Sequence, residues 1–143
     1  MTVQTLTKDA TRAVEFFERK LAYESGPIEL NYAINSKEPV QIIDLRTPEL
    51  FQKGHIPGAI NVGIDQLEGY LPKLSKDKPT VVYCYNITCH LSTKAALILA
   101  KNNYPVKELF GGWEEWVERE LPVEGKAEIS SCSSHEHKSS CGG

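Results

Sequence analysis

The sequence lacks a long apolar run and an excess of basic charge. Its longest apolar run, Ala95 to Ala100, falls far short of the ~20 residues that a membrane-spanning helix needs. Sixteen Lys and Arg against nineteen Asp and Glu give a net charge of −3, so no global positive field attracts nucleic-acid phosphates. Partners of both classes, nucleic acid and membrane, are therefore not expected.

An export signal is also lacking. Acidic residues occur within the first fifteen positions, and no apolar stretch of seven is present there. We therefore expect a cytoplasmic protein, in which thiols stay reduced. The sequence contains four cysteines, which we interpret as reactive or metal-binding groups before structural ones: Cys84, Cys89, Cys132 and Cys141.

The 143 residues have the size of one domain, and an apolar content of 41% excludes wholesale disorder. β-branched runs alternate with helical patterns through the middle of the chain, which predicts an α/β fold whose parallel sheet is covered on both faces. An extra amphipathic helix is predicted over residues 8–23 and is expected to pack on the sheet. We divide the chain into an N-terminal helical extension (1–34), a main domain (35–125) and a flexible Ser/Cys/His tail (126–143).

Cys84 ends the clearest predicted strand, Thr80 to Cys84. It precedes a loop and a helix predicted to begin with Ser92 as its N-cap. Ligands of open α/β sheets bind beyond the carboxyl ends of strands. Loop and helix N–H groups pointing at the sulfur are expected to lower the pKa of the Cys84 thiol and make it a nucleophile. The alternative is an inert, small apolar side chain.

Three groups of motifs resemble the rhodanese-like (sulfurtransferase) family over about residues 35 to 123. They are Asp44-Leu45-Arg46 with Glu49 and Gly54–Val62; Val81–Cys84 with Ser92 and Lys94–Ala96; and Phe110–Trp113 with Trp116 and Leu121-Pro122.

This resemblance implies a three-layer αβα domain with a parallel sheet of about five strands. It implies an enzyme whose cysteine, here Cys84, takes sulfane sulfur as a persulfide and passes it to a thiol or cyanide. The implied partners are a small sulfur donor (polysulfide, persulfide or thiosulfate) and a thiol acceptor, with a protein acceptor left open. No cofactor is expected, because the cysteine itself carries the transferred group.

The loop after Cys84 departs from the family pattern. It is about two residues longer than usual and holds no Arg or Lys, whereas a cationic loop helps to bind thiosulfate, a dianion. The longer loop suits a tetrahedral oxyanion, as in phosphatases and arsenate reductases of this fold, but those relatives also use an Arg. A non-catalytic binding module stays open as another alternative. The residues expected to form the substrate-binding loop are Tyr85, Asn86, Ile87, Thr88, Leu91 and Ser92.

Two further residues of this loop carry candidate chemistry. Cys89 could attack a persulfide on Cys84 or receive its sulfur, or the longer loop could place Cys89 itself among the backbone amides. His90 lies near the position where the family has Arg. It is either a group that stabilises the thiolate or donates a proton, or an exposed loop residue.

The remaining motifs favour structural roles. Asp44, Arg46 and Glu49 are predicted to form an ion-pair network beneath the active-site side of the sheet. His55 is predicted to satisfy backbone hydrogen bonds rather than to bind a metal.

The serine-rich tail contains four soft ligands that could bind Zn or Cu(I), but their spacing is not that of a standard zinc finger. A mobile end without a fixed role is the favoured interpretation, and an arm that shuttles sulfur from Cys84 is another alternative. The four residues are Cys132, His135, His137 and Cys141.

Overall fold

The computed structural model describes residues 10–125, which form a five-stranded sheet with helices on both faces. In chain order the strands are β1 (Glu24–Ser25), β2 (Gln41–Asp44), β3 (Ile60–Asn61), β4 (Thr80–Tyr83) and β5 (Val106–Leu109). They lie side by side in the order β1-β5-β4-β2-β3, and every pairing between them is parallel. The predicted α/β class with about five parallel strands is confirmed.

Six α-helices connect and flank these strands within the described residues. They are α1 (Thr11–Tyr23), α2 (Pro27–Asn35), α3 (Pro48–Lys53), α4 (Leu67–Tyr70), α5 (Leu91–Lys101) and α6 (Gly112–Glu118). Single 3-10 turns, Ile64–Gln66 and Leu71–Lys73, lie on either side of α4.

The central strand β4 is buried along its whole length and contributes to two cores. Val82 belongs to the core that includes α5, whereas Val81 and Tyr83 belong to the core that includes α2 and α6. This alternation follows from the two-residue period of a strand. Cys84 continues the alternation and therefore enters the core on the α5 side.

The helix α1 confirms the predicted N-terminal helix, and it contacts the sheet at one edge without being buried. None of its residues is buried, and Val14, Phe17 and Leu21 are each more than half exposed. The helix touches the sheet at the β1–β5 edge, where the Lys107 ammonium donates to the Leu21 carbonyl (3.4 Å). Because the other helices already cover both faces of the sheet, α1 lies outside the core.

The N-cap prediction for Ser92 is wrong. Helix α5 begins at Leu91, so the N-cap position falls on His90, two residues before Ser92. The Ser92 hydroxyl instead donates to the Glu108 carboxylate of β5 at 3.1 Å. The Ser92 side chain therefore bonds to a residue of another element instead of capping its own helix.

Candidate active site

The loop after β4 folds back so that its two cysteine sulfurs meet. Asn86 shapes this loop: its side-chain oxygen accepts from the Thr88 N–H (3.1 Å) and hydroxyl (2.8 Å), and its carbonyl accepts from the Cys89 N–H (3.1 Å). This is the local turn that asparagine favours. The Sγ atoms of Cys84 and Cys89 lie 3.0 Å apart, and both thiols are free.

The start of α6 clamps the other side of the loop. Its Trp113 N–H donates to the Cys84 carbonyl, and the next N–H donates to the Tyr85 carbonyl, each at 2.9 Å. Gly112 permits this approach, because its φ is +63° and a Cβ there would stand 2.9 Å from the Cys84 carbonyl oxygen. The first glycine of α6 is therefore part of the site's geometry.

Burial dominates the chemistry of Cys84. Only 2% of the residue is exposed, and this burial, with a hydrogen bond to the Cys89 sulfur, raises the pKa of Cys84 to about 12. The Tyr85 N–H acts in the opposite direction but does not compensate. The predicted lowering of the Cys84 pKa is wrong, because the sulfur lies inside the core rather than at its surface.

Cys89 has the opposite character. Partial burial alone would raise the pKa of Cys89, but hydrogen bonds from the Cys84 thiol and from the Leu91 and Tyr85 N–H groups outweigh it. The charge of Lys94 acts in the same direction, so the pKa of Cys89 is lowered. Backbone N–H groups therefore donate to the Cys89 sulfur, and the Cys84 thiol beside it stays protonated.

Cys89 opens onto a cleft of about 150 Å³ between the loop, the start of α5 and the ends of β1 and β5. His90 is exposed at this cleft, and Cys84 is not among the lining residues. The lining residues are Glu24, Asn86, Ile87, Cys89, His90, Ser92, Thr93, Glu108, Leu109, Phe110 and Gly111. Three of the six residues expected in the substrate-binding loop are among them: Asn86, Ile87 and Ser92.

The other three expected loop residues lie beside the cleft. Tyr85 is half-buried and packs against the core that contains Cys84. Thr88 is exposed in the turn built by Asn86, and Leu91 begins α5.

Two residues of the cleft, Glu24 and Glu108, were not predicted from the sequence. They pair directly across β1 and β5 in parallel register. Glu108 lies near the carboxyl end of a predicted strand, so the strand-end rule that selected Cys84 could also have selected it. Glu24 gave no such signal, because a strand of two residues is too short to show a pattern.

A buried polar cluster lies beneath the neighbouring strand end. Asp44 accepts from the Arg46 guanidinium (2.8 Å) and the Tyr83 hydroxyl (2.6 Å), and it is fully buried. Arg46 also donates to the Gly54 carbonyl (2.6 Å), and its guanidinium lies 4.2 Å from the centre of the Trp113 ring. Burial, followed by the Asp44 charge, raises the pKa of Tyr83.

The predicted network therefore holds for Asp44 and Arg46 but not for Glu49. Glu49 is exposed in the first turn of α3, and no ion pair to it is found within residues 10–125. Pro48 begins that helix and directs Glu49 toward solvent, near the positive end of the helix dipole. His55 behaves as expected: its Nδ1 hydrogen-bonds to the Phe51 carbonyl at 2.8 Å.

The tail residues Cys132, His135, His137 and Cys141 lie outside the described residues. Across residues 10–125, no group of three or more His, Cys, Asp or Glu side chains is arranged to hold a metal ion. No helix in this part of the chain has the length and apolar character needed to cross a membrane.

Comparison with known proteins adds a family match. The family model described as Rhodanese-like domain matches residues 27–119. The crystal structure of the BH2092 protein from Bacillus halodurans has a TM-score of 0.78 and 34% identity, covering 82% of this chain and 87% of that one.

Two curated relatives carry functional names. The thiosulfate sulfurtransferase GlpE of Shewanella oneidensis is 36% identical over 80 residues, which are 55% of this chain and 77% of that protein. The HTH-type transcriptional regulator Rv0324 of Mycobacterium tuberculosis is 38% identical over 90 residues, 63% of this chain. The match spans only 40% of that regulator's length.

Proposed function

The chain belongs to the rhodanese-like domain family, and on that premise we propose that it is a sulfurtransferase whose cysteine pair carries sulfane sulfur. Some of its relatives are named sulfurtransferases. The proposal depends most on one observation: Cys89, with a lowered pKa, lines an open cleft and lies 3.0 Å from the buried thiol of Cys84.

In the first step, the Cys89 thiolate attacks the outer sulfur of a polysulfide or low-molecular-weight persulfide. A bond forms between the Cys89 sulfur and that sulfane sulfur, while the donor's S–S bond breaks and its thiolate leaves with the electron pair. The N–H groups of Tyr85 and Leu91, which already serve the Cys89 sulfur, support the negative charge of the persulfide. The cysteine is the group carrier, so this step uses no other cofactor.

In the second step, an acceptor takes the sulfur. An acceptor thiolate or cyanide attacks the outer sulfur, the S–S bond to Cys89 breaks, and Cys89 leaves as a thiolate. The nearby Cys84 thiol stabilises this leaving group by donating its hydrogen bond. Atoms and charge balance, because the enzyme returns to its starting state.

When no acceptor is present, Cys84 offers a second outcome. Its sulfur attacks the Cys89 Sγ, the persulfide S–S bond breaks, and the outer sulfur leaves as hydrosulfide with the Cys84 proton. The sulfane sulfur is reduced and the two thiols are oxidised to a disulfide, which an external thiol then reduces. The 3.0 Å separation of the sulfurs supports this route.

Mass spectrometry of the protein treated with polysulfide tests the assignment. We expect a mass gain of one sulfur atom on the peptide containing Cys89, and loss of that gain in Cys89→Ser. The matched variant Cys84→Ser should still take up sulfur, but it should release no sulfide when acceptor is withheld. Uptake at the wild-type rate in Cys89→Ser would transfer the primary role to Cys84. No adduct on either cysteine with any donor would favour a binding module instead.

The alternative of an oxyanion-handling enzyme has less support. Such a site needs cationic groups or free N–H donors around a tetrahedral anion. The lining of this cleft includes two carboxylates and neither Lys nor Arg. A phosphate or arsenate would therefore meet like charge beside Cys89.

A further inference from the structure

Glu108 places an unneutralised carboxylate in the cleft that Cys89 faces. Its Oε2 accepts from the Ser92 hydroxyl at 3.1 Å and the Thr93 hydroxyl at 2.6 Å, both from the first turn of α5. Within the described residues its Oε1 takes no hydrogen bond, and no Lys or Arg pairs with it. The two hydrogen bonds therefore hold the carboxylate in place and leave Oε1 without a partner among the described residues.

The other charges around the cleft do not cancel this carboxylate. Glu24, the cross-strand neighbour of Glu108, is paired with the Lys20 ammonium at 2.9 Å. Lys94 acts on Cys89 from α5 but does not line the cleft, whereas His90 does. Glu108 is thus the carboxylate of the cleft lining that has no Lys or Arg partner among the described residues, whereas the Lys94 charge reaches Cys89 from outside the lining.

The two hydroxyl groups need an acceptor rather than a charge, and a glutamine oxygen also accepts them, although more weakly than a carboxylate. The carboxylate therefore has an electrostatic consequence for the cleft that is separate from its structural contacts.

We infer that Glu108 is a specificity-determining residue, which makes the cleft select small thiols bearing an ammonium group and reject anionic ones. This inference rests on the proposed function, because the selected thiols are sulfur acceptors only if the protein is a sulfurtransferase. A cationic thiol such as cysteamine brings its ammonium into the same cleft as the Glu108 carboxylate when its sulfur approaches Cys89. An anionic acceptor thiol meets repulsion at the same place.

The first experiment needs no sulfur transfer. Cys89 is modified with two methanethiosulfonates, one bearing an aminoethyl group and the other a sulfonatoethyl group, and the rate at Cys89 is followed by peptide mapping. In the wild type we expect the cationic reagent to be favoured relative to its reaction with a free thiol. Glu108→Gln should reduce that preference about tenfold, since a nearby unit charge acts strongly at a partly buried site. The control Glu68→Gln removes the same charge from an exposed position on α4 and should change little.

The second experiment measures acceptor use. Persulfide transfer to cysteamine, 2-mercaptoethanol and 3-mercaptopropionate is compared between wild type and Glu108→Gln. The ratio of kcat/KM between variant and wild type cancels the intrinsic reactivity of each thiol. Glu108→Gln should lower relative use of cysteamine, leave 2-mercaptoethanol nearly unchanged and raise use of 3-mercaptopropionate.

The two experiments separate the possible failures. Equal reagent preferences in wild type and Glu108→Gln would overturn the role of Glu108, whatever the enzyme activity. A clear reagent preference without any transfer to 2-mercaptoethanol would refute the proposed sulfurtransferase function and leave the charge selection of the cleft intact.

Discussion

Two polar clusters occupy neighbouring strand ends of the same sheet, and they differ in how completely their groups are satisfied. The Asp44–Arg46–Tyr83 cluster is buried, and its charges are paired at hydrogen-bond distance. No buried side-chain N or O atom within residues 10–125 lacks a hydrogen-bond partner. The cleft cluster of Cys84, Cys89 and Glu108 is instead open at Cys89, and one of its carboxylate oxygens has no partner in the described part of the chain.

The difference separates a structural role from a chemical one. A buried ion pair contributes to stability only while both charged partners remain. Its groups have no hydrogen-bonding capacity left for a ligand. A thiol with a lowered pKa that lines an open cleft is accessible for reaction. The two clusters should therefore respond differently to the same kind of perturbation.

The largest contrast is expected within the cleft, between its two thiols. Alkylation of a thiol follows its thiolate fraction, so the rate rises with pH up to the pKa. A Cys84 pKa of about 12 against a lowered Cys89 pKa predicts faster alkylation of Cys89 at pH 7, by at least about tenfold after the lower nucleophilicity of the more acidic thiol is allowed for. Initial rates of iodoacetamide labelling, mapped by mass spectrometry between pH 6 and 11, measure this ratio.

In the variant Cys89→Ser, Cys84 should remain unreactive at neutral pH, because burial is the first cause of its raised pKa. Rapid labelling of Cys84 there, or ahead of Cys89 in the wild type, would remove the asymmetry on which the mechanism depends.

The next contrast concerns stability of the buried cluster. Asp44→Asn leaves the Arg46 guanidinium buried without its counter-charge, and we expect a loss of about 3–5 kcal/mol in the free energy of unfolding. Urea denaturation measures it. Glu49→Gln makes the same chemical change in the same motif at an exposed site, and should cost no more than about 0.5 kcal/mol. Similar costs for the two variants would mean that the buried pair does not stabilise this fold.

A smaller effect is expected where the two clusters share a boundary. Gly112→Ala forces a side chain into positive φ and against the Cys84 carbonyl, so unfolding should become easier by about 1–3 kcal/mol. Gly69→Ala, in α4 with no atom within 4 Å of the added Cβ, should be neutral or stabilise the protein by up to about 1 kcal/mol.

The Gly112→Ala variant also tests whether the hydrogen bonds from α6 to the loop position the two thiols. If the contact of α6 with the loop positions the cysteines, Gly112→Ala should reduce the difference in alkylation rate between Cys84 and Cys89. An unchanged difference would show that Asn86 and the core suffice to hold the loop.

Much of the fold could be predicted because its strands carry local signals. β4 and β2 are β-branched runs preceded by proline. Residues of both clusters lie at or just after the carboxyl ends of these two strands. The edge strand β1 could not be predicted, since two residues carry no periodicity and only pairing with β5 defines it. The exposure of α1 at the sheet edge could not be predicted, because an apolar stripe indicates a helix without indicating what covers it.

The sequence by itself determined that a cysteine stands at the end of the central strand, with a second cysteine in a long loop without Arg or Lys. Only the tertiary structure decided which of them faces the cleft and which keeps its proton. That choice depends on burial and on the docking of α6, both of which join residues distant in the chain. It also depends on N–H groups of the loop and helix start, which the folded loop turns toward Cys89. The same holds for Glu108, whose carboxylate meets the cleft only because β5 lies beside β1 and opposite the start of α5.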